Sequence, residues 1–196
     1  MASSSLNILL QSPNPADSHN IRKIRPYLSK YSAQLLVQTM VLSKLDYCNS
    51  VLTGLPACII TPFEMIQNAA ARLIFSQSKR AHVTPLLISL HWLPIEARIK
   101  FKSLTLAYRV LAGSAPSYLS ELIQPYTPAR PLRSSQERLL RRANTTTKSQ
   151  SRLFSFLLPQ WWNDIPGPIR SAPSLDTFKK HLKTQQFQLF HPALDA

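Results

Sequence analysis

The sequence predicts an all-α protein, an irregular helical bundle followed by a basic linker and a C-terminal helical segment. Two observations carry this. Glycine occurs only three times in 196 residues, at 54, 113 and 167. The first two follow long apolar-periodic segments, where a helix takes its left-handed stop. Sixteen prolines punctuate long leucine-rich runs, as expected of helices separated by proline-marked turns.

Each element then follows in order. Residues 1–20, with Ser3, Ser4, Ser5, Pro13 and Pro15, read as a disordered tail. A first short helix includes "NIRKI" before Pro26. The next runs from about Ser32 to Leu52. Val37, Val41, Leu45, Cys48 and Leu52 share one face of it, and Leu35 and Leu42 extend that stripe. "TPFEMIQNAAARLIFSQ" opens with Thr61 as N-cap, Pro62 at the first helical position and Glu64 closing a capping box. Phe63, Ile66, Ala70 and Leu73 form its core stripe. Thr84 and Pro85 repeat that start for a shorter helix. Pro94 begins a longer one, running to about Leu111 and stopped by Gly113. "APSYLSELI" adds a brief helix.

From Pro125 to Arg152 there are seven basic residues, one acid and almost no apolar face, so this stretch reads as a flexible basic arm. "LFSFLLPQWWNDIPGPIR" is apolar again. The last helix has Ser174 as its cap and Leu175, Phe178, Leu182 and Leu189 on one face. The expected domains are therefore a tail (1–20), a bundle (21–124), a linker (125–152) and a C-terminal segment (153–191).

The apolar fraction of 44% suits a chain that buries a core. Charge is sparse but one-sided: 23 Lys and Arg against 9 Asp and Glu, a formal net charge of +14. Such an excess attracts polyanions, nucleic acid before anionic membrane. Cys48 and Cys58 make neither a disulfide framework nor a zinc knuckle. The five histidines form no HxxxH pair, so no metal and no cofactor are expected. Lys44 and Asp46 break the longest apolar run, which argues against a membrane span. "MASSSLNILL" lacks a basic n-region, which argues against secretion. A nuclear or cytoplasmic location is the expectation.

The candidate site lies in "HWLPIEARIKFK". On a helical wheel from Ile95, Arg98, Lys102 and Arg109 fall within roughly 40° of each other, between two apolar flanks. No acid shares the stripe, so intrahelical ion pairs do not explain it. These three residues are the candidate phosphate contacts. Arg130, Arg133, Arg138, Arg141 and Arg142 would add a mobile electrostatic arm. Trp92 could stack on a base, although a Trp just before such a helix is more often a core anchor, which is the preferred reading. Of the Trp161–Trp162 pair one ring should be buried and the other available, with Trp162 the stacking candidate.

No catalytic constellation stands out. The nine acids are isolated, with no DxD for two-metal chemistry. No glycine-rich phosphate loop and no GxSxG occur.

Several phrases occur together in order: "IRPYLS", "SKLDYCNSVLTGLP", "IQNAAARLIF", "HVTPLLISLHWLPIEARIKFK", "LAYRVLAGSAPSYLSELI", "YTPARPLRSS", "WWNDIPGPIR" and "SLDTFKKHLKT". Over about Ile21 to Phe190 the chain resembles the carboxy-terminal region of reverse transcriptases from non-LTR retrotransposons, the long interspersed elements of jockey-like and chicken-repeat-like kind. That resemblance implies a helical thumb, which grips a primer–template duplex, and an extension that engages element RNA or target DNA. RNA or an RNA–DNA hybrid is the implied partner, and a reverse transcriptase palm in trans is a further one. The palm with its paired aspartates and the endonuclease have no counterpart in these residues, so no enzyme is expected. The alternatives are an oligomerising protein-interaction module and a retroelement relic without function.

Overall fold

The computed structural model describes residues 15–47, 52–128, 138–142 and 154–191, with side chains from Asn20 onward. Among the described residues the protein is all-α. The β-type pairing found there is one isolated antiparallel bridge between Pro125 and Leu140.

Two compact units form, one from residues 1–51 and 56–98, the other from residues 52–55 and 99–196. The border thus falls inside a helix at Arg98, whereas the sequence places one at 124. The second unit's core explains why. Leu104, Ala107 and Tyr108 cluster there with Leu140, Trp162, Phe178 and Leu182.

In the first unit, α1 spans Pro15–Ile24, so residues 15–20 are helical rather than part of a tail; residues 1–14 lie outside the described residues. A 3-10 turn, Arg25–Tyr27, follows. Next come α2 (Lys30–Val37), a π-helical turn (Gln38–Leu42) and α3 (Ser43–Tyr47). The Ser29 hydroxyl caps α2, accepting from the Ser32 N–H at 3.1 Å, because the first turn of a helix has no intrahelical acceptors for its N–H groups. Val37, Val41, Leu42 and Leu45 are buried. Leu35 is 50% exposed; two residues before Val37, it points across the helix from the buried stripe. Cys48 lies outside the described residues.

Helix α4 runs Ala57–Ile74 from Pro56 as N-cap, starting a turn before the predicted Thr61. Thr61 instead donates its hydroxyl to the Ala57 carbonyl at 2.9 Å. Pro62 sits inside the helix. It has no N–H to offer the carbonyl of Cys58, an exposed residue, so that one helical bond is missing. Phe63, Ala70 and Leu73 are buried and Ile66 half-buried, as the stripe predicts. Helix α5 (Thr84–Ser89) and the first turn of α6 (Ile95–Leu111) complete the unit.

In the second unit, α6 ends in a Schellman motif. The Ser114 N–H bonds the Arg109 carbonyl at 2.9 Å and the Gly113 N–H bonds the Val110 carbonyl at 3.0 Å. Gly113 has φ +68°, a conformation that carries a steric penalty for residues with a Cβ. Then come α7 (Ser117–Leu122), α8 (Phe154–Asn163), α9 (Gly167–Arg170) and α10 (Leu175–Phe190). The Tyr108 ring stacks on Phe178 at 4.6 Å and its hydroxyl donates to the Ala172 carbonyl at 2.9 Å. Ser174 caps α10, accepting from the Thr177 N–H. Phe178 and Leu182 are buried, but Leu189, counted on the same face by the sequence, is 61% exposed.

Candidate nucleic-acid interface

The predicted cationic stripe divides. Arg98, in the first unit, donates from Nη1 to both carboxylate oxygens of Asp46, at 2.6 and 2.8 Å. Its Nε–H bonds the Leu93 carbonyl at 3.0 Å, and its side chain is only 16% exposed. This guanidinium holds the first turn of α6 to the end of α3 within the first unit and is not displayed to a polyanion, which corrects the expectation for Arg98. Lys102 and Arg109, in the second unit, are exposed. Neither side chain has a partner among the described residues. Thr105, on the same side of the helix, turns its hydroxyl back to the Phe101 carbonyl at 2.8 Å, so it leaves the cations uncovered.

The basic stretch 125–152 is only partly describable. Arg130 and Arg133 lie outside the described residues. Arg138, Arg141 and Arg142 sit on a short segment, residues 138–142, that is held in place. Leu140 is buried, and the Asn163 side-chain amide holds both of its backbone groups. Leu140 N–H donates to Asn163 Oδ1, and Asn163 Nδ2 donates to the Leu140 carbonyl, each at 2.9 Å. The Trp162 indole N–H bonds the Arg138 carbonyl at 2.7 Å. Backbone bonds from Tyr126 N–H to Leu139 and from Arg141 N–H to Gln124 complete the clamp. The three arginines are exposed. Arg142 lies 3.7 Å from Asp164, with both side chains more than half exposed, a geometry that contributes little and is easily exchanged for another anion.

Trp92 is the core anchor that the sequence favours, with no face for stacking, and the stacking expectation for Trp162 is corrected. Trp92 is 3% exposed and Trp162 fully buried, and a ring enclosed in a core has no face left for a base. Trp161 is the half-exposed member of its pair, with the Lys100 ammonium 6.0 Å above its ring centroid. The rings open to solvent are tyrosines, with Tyr27, Tyr31 and Tyr47 the most exposed. Sequence reasoning missed them, although "RKIRPYLSKY" interleaves aromatic and basic residues as single-strand binders do.

Among the described residues no group of three or more His, Cys, Asp and Glu is placed to hold a metal ion. None of their helices is long and apolar enough to cross a membrane. No protein-family model matches the chain, and no curated protein or solved structure matches it either.

Proposed function

We propose that this chain is a nucleic-acid-binding fragment, non-catalytic by itself, that contacts phosphates of RNA or an RNA–DNA hybrid. The observation that carries the reading is the second unit's set of exposed cations. Lys102 and Arg109 stand on a rigid helix, and Arg138, Arg141 and Arg142 flank a clamped segment. Cations on an ordered backbone have only side-chain freedom to lose on meeting a phosphate, and they position a polymer while reading little of its sequence. The preference for RNA rests on the resemblance to retrotransposon reverse transcriptases.

Five phosphate contacts to a single strand give a slope of log affinity against log salt of roughly −3.5. Fluorescence anisotropy with labelled RNA should therefore show affinity falling roughly a hundredfold between about 50 and 200 mM salt. Salt-independent affinity overturns the reading, and primer extension by the isolated chain overturns its non-catalytic part.

A second reading has its own support. Leu35, Met40 and Met65 are each exposed apolar side chains on the first unit, and exposed apolar side chains favour association with another copy or with a polymerase palm in trans. Sedimentation with and without RNA separates the two readings. RNA-indifferent oligomers favour the interaction module, and a monomer that shifts with RNA favours the first reading. A non-cooperative melt would favour a relic.

A further inference from the structure

The first unit contains a cleft of about 870 Å³, walled by α1, the 3-10 turn, the second half of α4 and the turn after it. Arg22, Arg25, Arg72 and Lys79 line it together with the amides Asn68 and Gln77, and no carboxylate does so among the described residues. The four cations play different parts. Arg25 is committed to structure, donating from Nε to the Leu73 carbonyl (3.0 Å), from Nη1 to that of Leu28 (2.8 Å) and from Nη2 to that of Ile74 (2.6 Å). It thereby caps the C-terminal end of α4 and offsets the partial negative charge that this helix end would bring to the cleft.

Arg72 is held by a single bond, from Nε to the Ala81 carbonyl at 3.0 Å. Both of its terminal nitrogens keep their donors, and no protein group among the described residues takes them. The guanidinium fork is thus fixed in place and unspent, the arrangement that suits two-pronged recognition of a phosphate. Arg22 and Lys79 are exposed and also have no partner among the described residues. These three cations, without an acidic partner among the described residues, repel one another around the cleft, and an anion relieves that repulsion.

The cleft is larger than a bare phosphate needs and lies within the range of organic ligands. Met65, 66% exposed, and Pro26 give it apolar surface, which suits the face of a base. Asn68 and Gln77 each offer a donor and an acceptor, which suits a base edge. A duplex stacks its base faces and pairs their Watson–Crick edges, whereas a single strand presents face, edge and phosphate together.

We propose that this cleft seats one nucleotide of a single-stranded RNA, with Arg72, Arg22 and Lys79 on the phosphodiester and Met65 and Pro26 against the base. The proposal rests on the nucleic-acid reading and adds to it a separate site in the first unit with a preference for single strands.

The test uses the full chain and fluorescence anisotropy at one fixed salt concentration, with a short labelled oligouridine and a blunt RNA duplex as probes. The Arg22→Ala/Lys79→Ala pair removes side chains that hold nothing else. It should lower oligouridine affinity roughly tenfold, as expected for two charge-assisted contacts, and leave duplex affinity unchanged. Arg72→Lys keeps the charge but loses the fork and should weaken the single strand as well. Uridine monophosphate should displace the oligouridine at concentrations where inorganic phosphate does not.

Unchanged oligouridine affinity in the Arg22→Ala/Lys79→Ala variant, beside weakened binding in Lys102→Ala/Arg109→Ala, overturns the cleft and leaves the proposed function standing. An equal loss for strand and duplex, or equal displacement by phosphate and nucleotide, also overturns it. Absence of salt-dependent binding in the parent chain overturns both readings.

Discussion

Replacing Arg98 with Ala should lower stability and leave nucleic-acid affinity intact. The pair it breaks is intermediate between two limits. Exposed ion pairs contribute about 0.2–1 kcal/mol, whereas breaking a fully buried pair costs about 3–5 kcal/mol. Arg98 is 16% exposed but Asp46 is 45% exposed, so water recovers the carboxylate and the cost stays near the lower limit. The Leu93 carbonyl that loses the Arg98 Nε–H keeps the Gln67 amide donor at 2.8 Å and is not orphaned. The sum is about 1–2 kcal/mol, or about 2–8 °C in melting temperature for a chain of this size. Thermal melts of Arg98→Ala, Asp46→Ala and the double variant form a cycle whose coupling should be about 0.5–1.5 kcal/mol. Anisotropy against RNA on the same proteins should show parental affinity for Arg98→Ala and weakened affinity for Lys102→Ala. An Arg98→Ala protein that melts like the parent yet binds RNA poorly would refute the reasoning, since the guanidinium would then be a phosphate ligand and its bond to Asp46 idle.

The two enclosed tryptophans should answer differently to the same change. Trp162→Phe removes an indole donor that the Arg138 carbonyl uses at 2.7 Å and should cost about 1.5–3 kcal/mol. Trp92→Phe removes a buried indole N–H that has no partner among the described residues, so lost packing is offset and the net change should stay within about 1 kcal/mol; chemical denaturation gives the order. Asn163→Ala frees both backbone groups of Leu140 and should cost roughly 2–4 kcal/mol, with faster amide exchange at Leu140 as its local signature.

Local chemistry was legible in the sequence where it acts locally. The Ser174 cap, the Gly113 stop and the buried Val37, Val41 and Leu45 all depend on residues within two turns of one another. The start of α4 was misplaced because Thr61 and Pro62 imitate a first turn, although the helix begins at Ala57. Arg98 was misread for a different reason. Its partner Asp46 lies 52 positions away, and a wheel drawn on one helix cannot contain it. The place of Trp92 just before a helix did mark it as a core anchor, but nothing in the Trp161–Trp162 pair told which of the two rings the core would enclose. The anchoring of residues 138–142 did leave a trace, since Leu139 and Leu140 are an apolar pair within "ERLLRR". Weighed as composition, that stretch is a charged arm; weighed by position, it holds a side chain in need of a core.

That anchor decides how the arginines beside it can act. A mobile arm must be ordered when it meets a polymer, at about 1–2 kcal/mol for each backbone residue fixed. Residues 138–142 are ordered already, through the Asn163 amide, the Trp162 indole and the burial of Leu140. Their arginines therefore meet phosphates with only side-chain freedom left to lose. The same geometry ties binding to folding. The clamp that holds Arg138, Arg141 and Arg142 in place is part of the core that packs Trp162 on Phe178, so loosening that core should disperse the cations without touching any of them. An Asn163→Ala protein that stays folded below its melting transition yet binds RNA more weakly, with every cation present, would display that dependence. One that binds at parental strength would show that charge alone, wherever it sits, does the binding.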